Sequence, residues 1–383
     1  MIYLDNAATS WPKAPGTAEV LSNAILSPLG NPGRTSHSAG ISADRIIFEL
    51  RESLAHLFGI GDSSLVALTP GCTSALNTIL SGFLKKGQKV LCSSMEHNSV
   101  MRPLMQLQQE RQLQINRIPS EPESGYPDLK AFEKLLDEKP DLLVLTAASN
   151  VNGIIFPLEQ MCLTARKKGI PLCVDAAQAA GEIPLYPENW GIDFLCFAGH
   201  KGLLGPAGCG GFYIRDPERV RPLILGGTGS RSREEIQPEI MPDRFESGTA
   251  NIPGFAGLLH SLNFLQSSKT LYRAAEERCG RLCRRLHELE GYRIIGRSKD
   301  RDYTRVFSIL PEKGNLTELT AFLNSKDIAV RSGLHCAPSA HRVLGSFESG
   351  GTLRLSPGLF TTNREIELLI ESLKEYRWLT LKN

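Results

Sequence analysis

A lysine, an aspartate and a glycine-led helix start, each placed after a predicted strand, are the residues of this chain best suited to chemistry. Lys201 stands in Ala198-Gly-His-Lys201, inside a run of glycines and small apolar residues. Burial would disfavour its ammonium form, and an uncharged amine is the nucleophile that bonds to an aldehyde. The alternative is a lysine whose stem lies along apolar surface while its charged end reaches water.

A carboxylate ends the preceding predicted strand, in Val174-Asp-Ala-Ala-Gln178. A buried carboxylate needs a cation to offset its lost hydration. The sequence has no cluster of His and Cys with metal-ligand spacing, so we expect no metal site, and a cationic heterocycle is a candidate partner for Asp175. A plain helix N-cap is the alternative.

The third feature is the turn Thr69-Pro-Gly-Cys-Thr-Ser-Ala-Leu-Asn77, where a glycine leads into a predicted helix. The first amides and hydroxyls of such a helix can hold a phosphate, although an ordinary capped helix would have the same sequence. Ligands collect at the carboxyl edge of parallel strands, so the three features should meet there. A phosphate holder, an acid for a ring nitrogen and an amine for an aldehyde together predict a pyridoxal phosphate site.

Short apolar segments that alternate with segments of helical period must position these residues. The apolar segments begin at Leu65, Lys89, Asp141, Pro171 and Asp193. Helices are predicted between them at 73–83, 99–111, 128–136 and 158–168. This alternation, over about residues 60 to 215, predicts an α/β fold with a mainly parallel central sheet and helices on both faces.

The pattern changes after about residue 250. A long helical tract at 258–288 is followed by strands near Val306, Ile328 and Leu353, and by an amphipathic helix at 364–376. We therefore expect three parts: an N-terminal arm (1–14) that packs on the small domain, a large cofactor-binding α/β domain (15–250) and a small C-terminal α+β domain (251–383).

Composition narrows the class of function. The 43 basic and 41 acidic residues nearly balance, and no basic stripe carries interleaved aromatic residues, so nucleic acid is not an expected partner. No apolar run of about 18 residues occurs, so we expect no membrane span. The nine cysteines are scattered and none forms a CxxC pair. That usage is typical of the reducing cytoplasm, where we expect this protein to be soluble.

Further motifs give the chain a family resemblance. It resembles the cysteine desulfurase group of the class-V aminotransferase fold, from Tyr3-Leu-Asp-Asn-Ala-Ala-Thr9 to Arg354-Leu-Ser-Pro-Gly358. The resemblance implies a fold-type I pyridoxal phosphate enzyme that forms a homodimer. The other matching motifs are Glu96-His97-Asn98, Ser149-Asn-Val-Asn-Gly153, Val174-Asp-Ala-Ala-Gln178, Gly199-His-Lys-Gly202, Phe245-Glu-Ser-Gly-Thr249 and Arg331-Ser-Gly-Leu-His-Cys-Ala337.

The resemblance also implies roles for single residues around the cofactor. Lys201 would bond to its aldehyde, while Asp175 would hold the pyridinium nitrogen and Gln178 the ring oxygen. His97 would stack on the ring and offer proton transfer. Asn150 would touch the ring oxygen or the substrate carboxylate. Thr73 and His200 would bind the phosphate, with Thr249 reaching in from a second subunit, and Cys72 would be a further cofactor-binding residue.

The remaining implied roles concern the substrate. Arg354 would bind the α-carboxylate of the substrate, and His37 would approach the substrate from an entry loop. For each of these residues, the alternative is an ordinary surface position. Lys201 would remove the Cα proton. Cys336 decides between reactions, because its thiolate would take the sulfur of L-cysteine, leaving L-alanine and an enzyme persulfide. His335 beside it would favour the thiolate.

Three functions remain open at this stage. The first is a cysteine desulfurase, also acting on selenocysteine, that passes sulfur to an acceptor protein, as in iron–sulfur cluster assembly. The second is an aminotransferase or another lyase on the same fold, in which Cys336 is incidental. The third is a cofactor-holding protein of a sulfur-trafficking complex that has lost turnover.

Overall fold

The structure is a computed structural model that describes residues 1–33 and 37–382. Its strands form three sheets. They are β1 (Ile2–Tyr3), β2 (Val66–Thr69), β3 (Lys89–Ser93), β4 (Gln114–Ile118), β5 (Leu142–Thr146), β6 (Leu172–Asp175), β7 (Phe194–Ala198), β8 (Gly210–Ile214), β9 (Tyr292–Ile295), β10 (Phe307–Pro311), β11 (Ile328–Ala329), β12 (Arg331–Gly333) and β13 (Thr352–Leu355).

Helices cover the sheets and connect their strands. They are α1 (Thr17–Leu26), α2 (Ser38–Phe58), α3 (Cys72–Phe83), α4 (Asn98–Arg111), α5 (Leu129–Leu136), α6 (Leu158–Lys167), α7 (Pro187–Trp190), α8 (Ile252–Gln266), α9 (Lys269–His287), α10 (Leu316–Ser325), α11 (Pro338–Val343) and α12 (Asn363–Lys382). Within the described ranges, no helix is both long and apolar enough to span a bilayer.

The central sheet has seven strands in the order β2-β8-β7-β6-β5-β3-β4. Strand β8 runs antiparallel to both of its neighbours, and the other pairs are parallel. The predicted α/β fold with a mainly parallel sheet is therefore confirmed. Asp175 at the end of β6 pairs with Thr146 of β5 and Cys196 of β7, so the carboxyl ends of these strands meet at one edge.

Side chains of the central strands alternate between two cores. Leu143 and Leu145 face the core that includes buried residues of α2, α5, α6 and α8. Leu142 and Val144 face the core formed with α3 and α4. Burial on both faces explains why these strands read as continuous apolar runs.

Two strands of the central sheet, β4 and β8, were missing from the sequence prediction. Strand β4 lies at the sheet edge, and its exposed Gln114, Asn116 and Arg117 leave no apolar run. Strand β8 starts with Gly210 and Gly211, and glycine weakens a strand pattern. A Cβ on Gly210 would lie 2.7 Å from the Cα of Gly71, so glycine is what lets β8 approach the turn that begins α3.

The C-terminal part contains the antiparallel sheet β12-β13-β10-β9. A third core lies between this sheet and helices α9, α10 and α12. Strand β1 of the N-terminal arm pairs with β11 in parallel, and Leu4 of the arm is buried in the same core.

The helical tract predicted at 258–288 is two helices, α8 and α9, which separate at Ser267 and Ser268. Phe255, Leu258 and Leu262 of α8 pack in the core of the central sheet, so the chain beyond residue 250 first returns to that sheet. The division of the chain at residue 250 remains a prediction.

Candidate active site

A cavity of about 590 Å³ opens at the carboxyl edge of the central sheet. It lies where β6 and β7 end and where α3 and α4 begin. The structure therefore gathers most of the predicted site residues around one space large enough for a cofactor and a small substrate. Those lining it are Cys72, Thr73, His97, Asn150, Asp175, Gln178, His200 and Lys201.

Asp175 is the buried acid of this cavity, with 3% of its surface exposed. Its Oδ1 accepts hydrogen bonds from the amide of Ala177 at 2.9 Å and from the thiol of Cys72 at 3.4 Å. Burial, followed by the charge of Asp175, raises the pKa of the Cys72 thiol well above its ordinary value. Cys72 is therefore a neutral donor that orients the carboxylate.

Lys201 follows β7 in a turn and lines the same cavity. Burial lowers the pKa of its amine, and the carboxylate of Asp175 opposes that shift. Lys201 remains partly exposed at the cavity wall, and the lowered pKa favours the uncharged, nucleophilic form of its amine.

The start of α3 supplies the anion-binding part of the cavity. The N-cap is Gly71, and no side chain among the described residues accepts a hydrogen bond from the first amides of the helix. Those amides, together with the side chains of Thr73 and Ser74 in the cavity wall, suit a phosphate. A phosphate holder, a buried acid and a desolvated amine on one wall fit pyridoxal phosphate, as predicted from the sequence.

Two histidines of the cavity are uncharged at neutral pH. His97 is the N-cap of α4, where its Nδ1 accepts a hydrogen bond from the Ser99 amide at 3.0 Å. Burial lowers the pKa of His97 to about 4. Burial and the charges of Lys201 and Lys13 lower the pKa of His200 to about 4. A neutral imidazole at position 97 suits stacking on a ring.

Arg354 lies in β13 and is only 2% exposed. Its Nη2 donates to Asp5 Oδ1 at 2.7 Å and its Nη1 donates to the Asn150 carbonyl at 3.1 Å. Its Nε is buried and has no partner within the described residues. Burial lowers the pKa of the guanidinium, and Asp5 opposes that shift. An orphaned donor on a buried cation suits a carboxylate ligand.

Cys336 is the exposed cysteine of the chain. Its carbonyl accepts a hydrogen bond from the amide of Asn98 at 2.7 Å, next to His97 of the cavity wall. The carbonyl of His335 accepts from Asn150 Nδ2 at 2.5 Å. Cys336 does not line the cavity itself, but the loop that carries it is joined to two residues beside or within that wall.

The expectation that His335 favours a thiolate is wrong. His335 is 4% exposed, and its Nε2 lies 3.0 Å from Thr352 Oγ1. Burial, followed by the charge of Arg354, lowers the pKa of His335 to about 2. A neutral imidazole held in this way cannot supply the positive charge that stabilises a thiolate.

Four predicted site residues lie outside the lining of this cavity: Cys336 and Arg354, described above, and Thr249 and His37. Thr249 lines a neighbouring cavity of about 620 Å³ that also contains Ser74, Leu223 and Ile224. His37 caps α2, where its Nδ1 accepts from the Gly40 amide at 3.1 Å. Residues 34–36 of the predicted entry loop lie outside the described residues. The roles given to Thr249 and His37 remain predictions.

Sequence reasoning gave no role to three residues that the structure places beside the site. Asp5 binds Arg354, Lys13 donates to the carbonyl of His200, and Glu96 is fully buried behind His97. Asp5 and Glu96 each stand next to apolar residues in motifs already noted. An acidic residue among apolar residues requires a polar or charged partner, so this setting could have identified Asp5 and Glu96 from the sequence.

Comparison with known proteins identifies the family of this chain. The family profile described as Aminotransferase class-V matches residues 2–369. A relative from Methanothermobacter thermautotrophicus named "Probable cysteine desulfurase" is 30% identical over 98% of this chain and 94% of its own length. Another of that name, from Xylella fastidiosa, is 31% identical over 98% and 91%.

Solved structures show the same likeness. The apo structure of a cysteine desulfurase from Thermococcus onnurineus NA1 has a TM-score of 0.90 and 28% identity, and the match covers 98% of this chain and 94% of that one. A structure titled "NifS-like protein" has a TM-score of 0.85 and 26% identity over 99% of both chains. The likeness therefore spans both the central sheet and the C-terminal part.

Proposed function

This chain belongs to the class-V aminotransferase family, and from that premise we propose that it is a pyridoxal phosphate-dependent cysteine desulfurase. It converts L-cysteine to L-alanine and takes the sulfur on Cys336. The observation that carries the proposal is an exposed thiol whose loop is hydrogen-bonded, through Asn98 and Asn150, to the wall of a cavity built around Asp175 and Lys201.

The residues that would hold the cofactor follow from the cavity. The start of α3 and His200 would bind its phosphate, Asp175 its ring nitrogen, Gln178 its ring oxygen and Lys201 its aldehyde carbon. When bound, pyridoxal phosphate supplies an electron sink that makes the Cα proton of an amino acid removable. His97, neutral at pH 7, would pack against the ring.

The protein's own groups bind and orient the substrate. Arg354, with a buried and unpaired Nε, would hold the α-carboxylate of the amino acid. The amine of Lys201, whose pKa is lowered by burial, would then take the proton from Cα.

Cys336 completes the reaction. Its thiolate attacks the sulfur of the substrate, the bond between that sulfur and the substrate's β-carbon breaks, and the β-carbon keeps the electron pair and gains a proton. The products are L-alanine and a persulfide on Cys336, so atoms and electrons balance without an external oxidant or reductant. An incidental cysteine would not need the exposure that position 336 has.

Mass spectrometry of the protein after incubation with L-cysteine tests this step. The wild type is expected to gain the mass of one sulfur atom on the peptide that contains Cys336, and Cys336→Ser is expected to gain none. Cys283→Ser is the matched control, since Cys283 is another partly exposed thiol, and it should behave as the wild type does.

Sulfur release by Cys336→Ser at the wild-type rate would refute the persulfide step. Conversion of the cofactor to its amine form in the presence of a keto acid, without loss of sulfur, would instead establish an aminotransferase. Cofactor colour without consumption of any amino acid would indicate a protein that has lost turnover. Activity on selenocysteine is a further prediction, which a Cys336→Ser variant that still releases selenium would support.

A homodimer is part of the proposal. Thr249 would reach the phosphate site of the second subunit, and the cavity that it lines contains the exposed apolar side chains Leu223 and Ile224. Exposed apolar side chains around a cavity support an interface there.

The proposal also includes an acceptor protein for the sulfur, for example in iron–sulfur cluster assembly. Cys336 is exposed, so a partner thiol has access to it. Location in the cytoplasm is supported by nine cysteines that are all free, because disulfides are rare in that compartment.

A further inference from the structure

We propose that residues 5–13, here called the strap, fix Arg354 relative to the turn that carries Lys201, and that Asp5 and Lys13 are its two charged anchors. The inference rests on the proposed function, because it concerns how substrate and cofactor groups of that site are held in register. Both anchors contact other protein groups of the site, so they are positioning residues.

Asp5 forms the first anchor. It is the carboxylate that pairs with the buried Arg354, at 2.7 Å. A buried guanidinium without a counter-charge is strongly unfavourable, and two fixed bonds, to Asp5 and to the Asn150 carbonyl, set the plane of the group. The edge that contains Nε is then left for a ligand.

The chain around Asp5 is itself fixed. The amide of Ser356, two residues after Arg354, donates to the Leu4 carbonyl at 2.7 Å, and the amide of Ala7 donates to Ser356 Oγ at 3.0 Å. The strap therefore begins at an isolated parallel β-bridge between Asp5 and Ser356, directly after β13. Farther along, the Ala7 carbonyl accepts from Gln178 Nε2 at 2.8 Å, which joins the strap to the cofactor cavity.

Lys13 forms the second anchor. Its Nζ donates to Ser10 Oγ at 3.0 Å, to the His200 carbonyl at 3.1 Å and to Thr9 Oγ1 at 3.3 Å. An ammonium has three N–H groups and no acceptor, so the three oxygens match the charged form. No carboxylate of the described residues forms an ion pair with Lys13, and burial lowers its pKa to about 8.

Lys13 binds the backbone directly beside Lys201. His200 directly precedes Lys201, and its carbonyl also accepts from the amide of Ser10 at 2.9 Å. A partly buried charge held only by neutral oxygens is costly to keep. We infer that its use is to tie the backbone of the Lys201 turn to the strap.

The two ends of the strap lie on different sheets. Arg354 belongs to β13 of the C-terminal sheet, whereas Lys201 follows β7 of the central sheet. A substrate held by its carboxylate at Arg354 must present its Cα to Lys201, and such alignment contributes strongly to rate. A single segment bonded to both elements sets that distance.

A double-mutant cycle with Asp5→Asn and Lys13→Met tests the strap. The readouts are kcat and KM for L-cysteine, and the affinity for L-alanine measured from the absorbance of the bound cofactor. Asp5→Asn should weaken L-alanine binding and raise KM while the cofactor absorbance is retained. Lys13→Met should lower kcat and loosen the cofactor. In a variant that already lacks one anchor, substitution of the other should reduce kcat/KM by a factor that is at least about five-fold smaller than in the wild type.

Matched controls and conservative variants complete the test. Lys86→Met and Asp300→Asn alter exposed residues and should leave all readouts unchanged. Lys13→Arg, which keeps charge and donors, should rescue most of the kcat. If Asp5→Asn does not fold, Asp5→Glu takes its place, and a weaker loss of L-alanine affinity is expected.

A loss of kcat/KM in the double variant that equals the product of the two single losses would show that the anchors act independently and not as one unit. Unchanged L-alanine affinity in both single variants would refute the strap altogether. Binding of L-alanine requires no sulfur chemistry. A wild type that forms no persulfide, while Asp5→Asn still weakens L-alanine binding and retains the cofactor, would therefore reject the proposed function and retain the Asp5 anchor.

Discussion

At the scale of single residues, burial sets the protonation of the groups that would react. Burial lowers the pKa of the Lys201 amine and lowers that of the His97 imidazole to about 4, while Asp175 keeps donors from a backbone amide and a neutral thiol. The sequence allowed Lys201 and Asp175 to be identified because a charged residue among apolar neighbours is conspicuous. It could not reveal that the imidazole of His335 is buried and neutral, since that depends on its packing.

Glu96 provides a prediction from the same physics. Its Oε1 accepts from Ser93 Oγ and the Thr146 amide, and its Oε2 has no partner in the described chain. Burial raises the pKa of Glu96 to about 8, so the folded protein keeps a proton that the unfolded chain releases above its ordinary pKa near 4.5. Stability is therefore lost as pH rises from about 5 to 8.

Glu96→Gln should remove that loss. Between pH 5 and pH 8, we expect the unfolding free energy of the variant to rise by about 2–4 kcal/mol relative to that of the wild type. Urea midpoints at the two pH values measure this. Glu133→Gln, at an exposed position, should keep the wild-type slope, and an equal slope in Glu96→Gln would show that Glu96 is ionised in the folded state.

At the scale of elements, the site depends on turns that a residue pattern alone describes poorly. The long apolar runs of β5, β6 and β7 identified the central sheet, because strands buried on both faces carry few polar residues. Strands β4 and β8 were missed, since one is an exposed edge and the other is rich in glycine. The break between α8 and α9 at two serines was also invisible to helical periodicity.

Gly351 shows how tightly one such turn is built. It has a φ of +106°, and a Cβ there would collide with the carbonyl of Gly333. Gly351 precedes β13 with Arg354, and Gly333 ends β12 before Cys336. Gly351→Ala should lower the unfolding free energy by about 2–4 kcal/mol and raise KM for L-cysteine.

Gly345→Ala is the control for backbone strain alone. Gly345 has a φ of +67°, but no atom lies within 4 Å of an added Cβ. Its cost should stay near about 1 kcal/mol, with KM unchanged. Equal losses of unfolding free energy in the two variants would show that the close approach of Gly351 to Gly333 does not affect stability.

At the scale of the whole molecule, the proposed homodimer accounts for exposed apolar residues that a monomer would leave in water. Leu223, Ile224 and Leu225 are 49%, 58% and 67% exposed, and the first two line the cavity that contains Thr249. Composition gives no information about which exposed residues are adjacent, so this surface was not predictable from the sequence.

Ile224→Glu should convert the dimer to a monomer, because a buried carboxylate without a partner disfavours association. Sedimentation velocity measures the change, and cofactor retention should fall with it if Thr249 completes the phosphate site. Leu381→Glu, at an exposed apolar position of α12, should remain dimeric. A wild type that sediments as a monomer and retains its cofactor would reject this assembly.

The claim that Lys201 and Cys336 act on one substrate is tested most directly by the stoichiometry of alanine formation. Holoenzyme mixed rapidly with a few equivalents of L-cysteine per subunit, so that the substrate thiol itself discharges little persulfide, should release a burst of alanine equal to the number of subunits and then slow sharply, because each Cys336 can accept sulfur once. Cys336→Ser should show no burst. A steady, undiminished release of alanine or keto acid by both proteins would contradict the account.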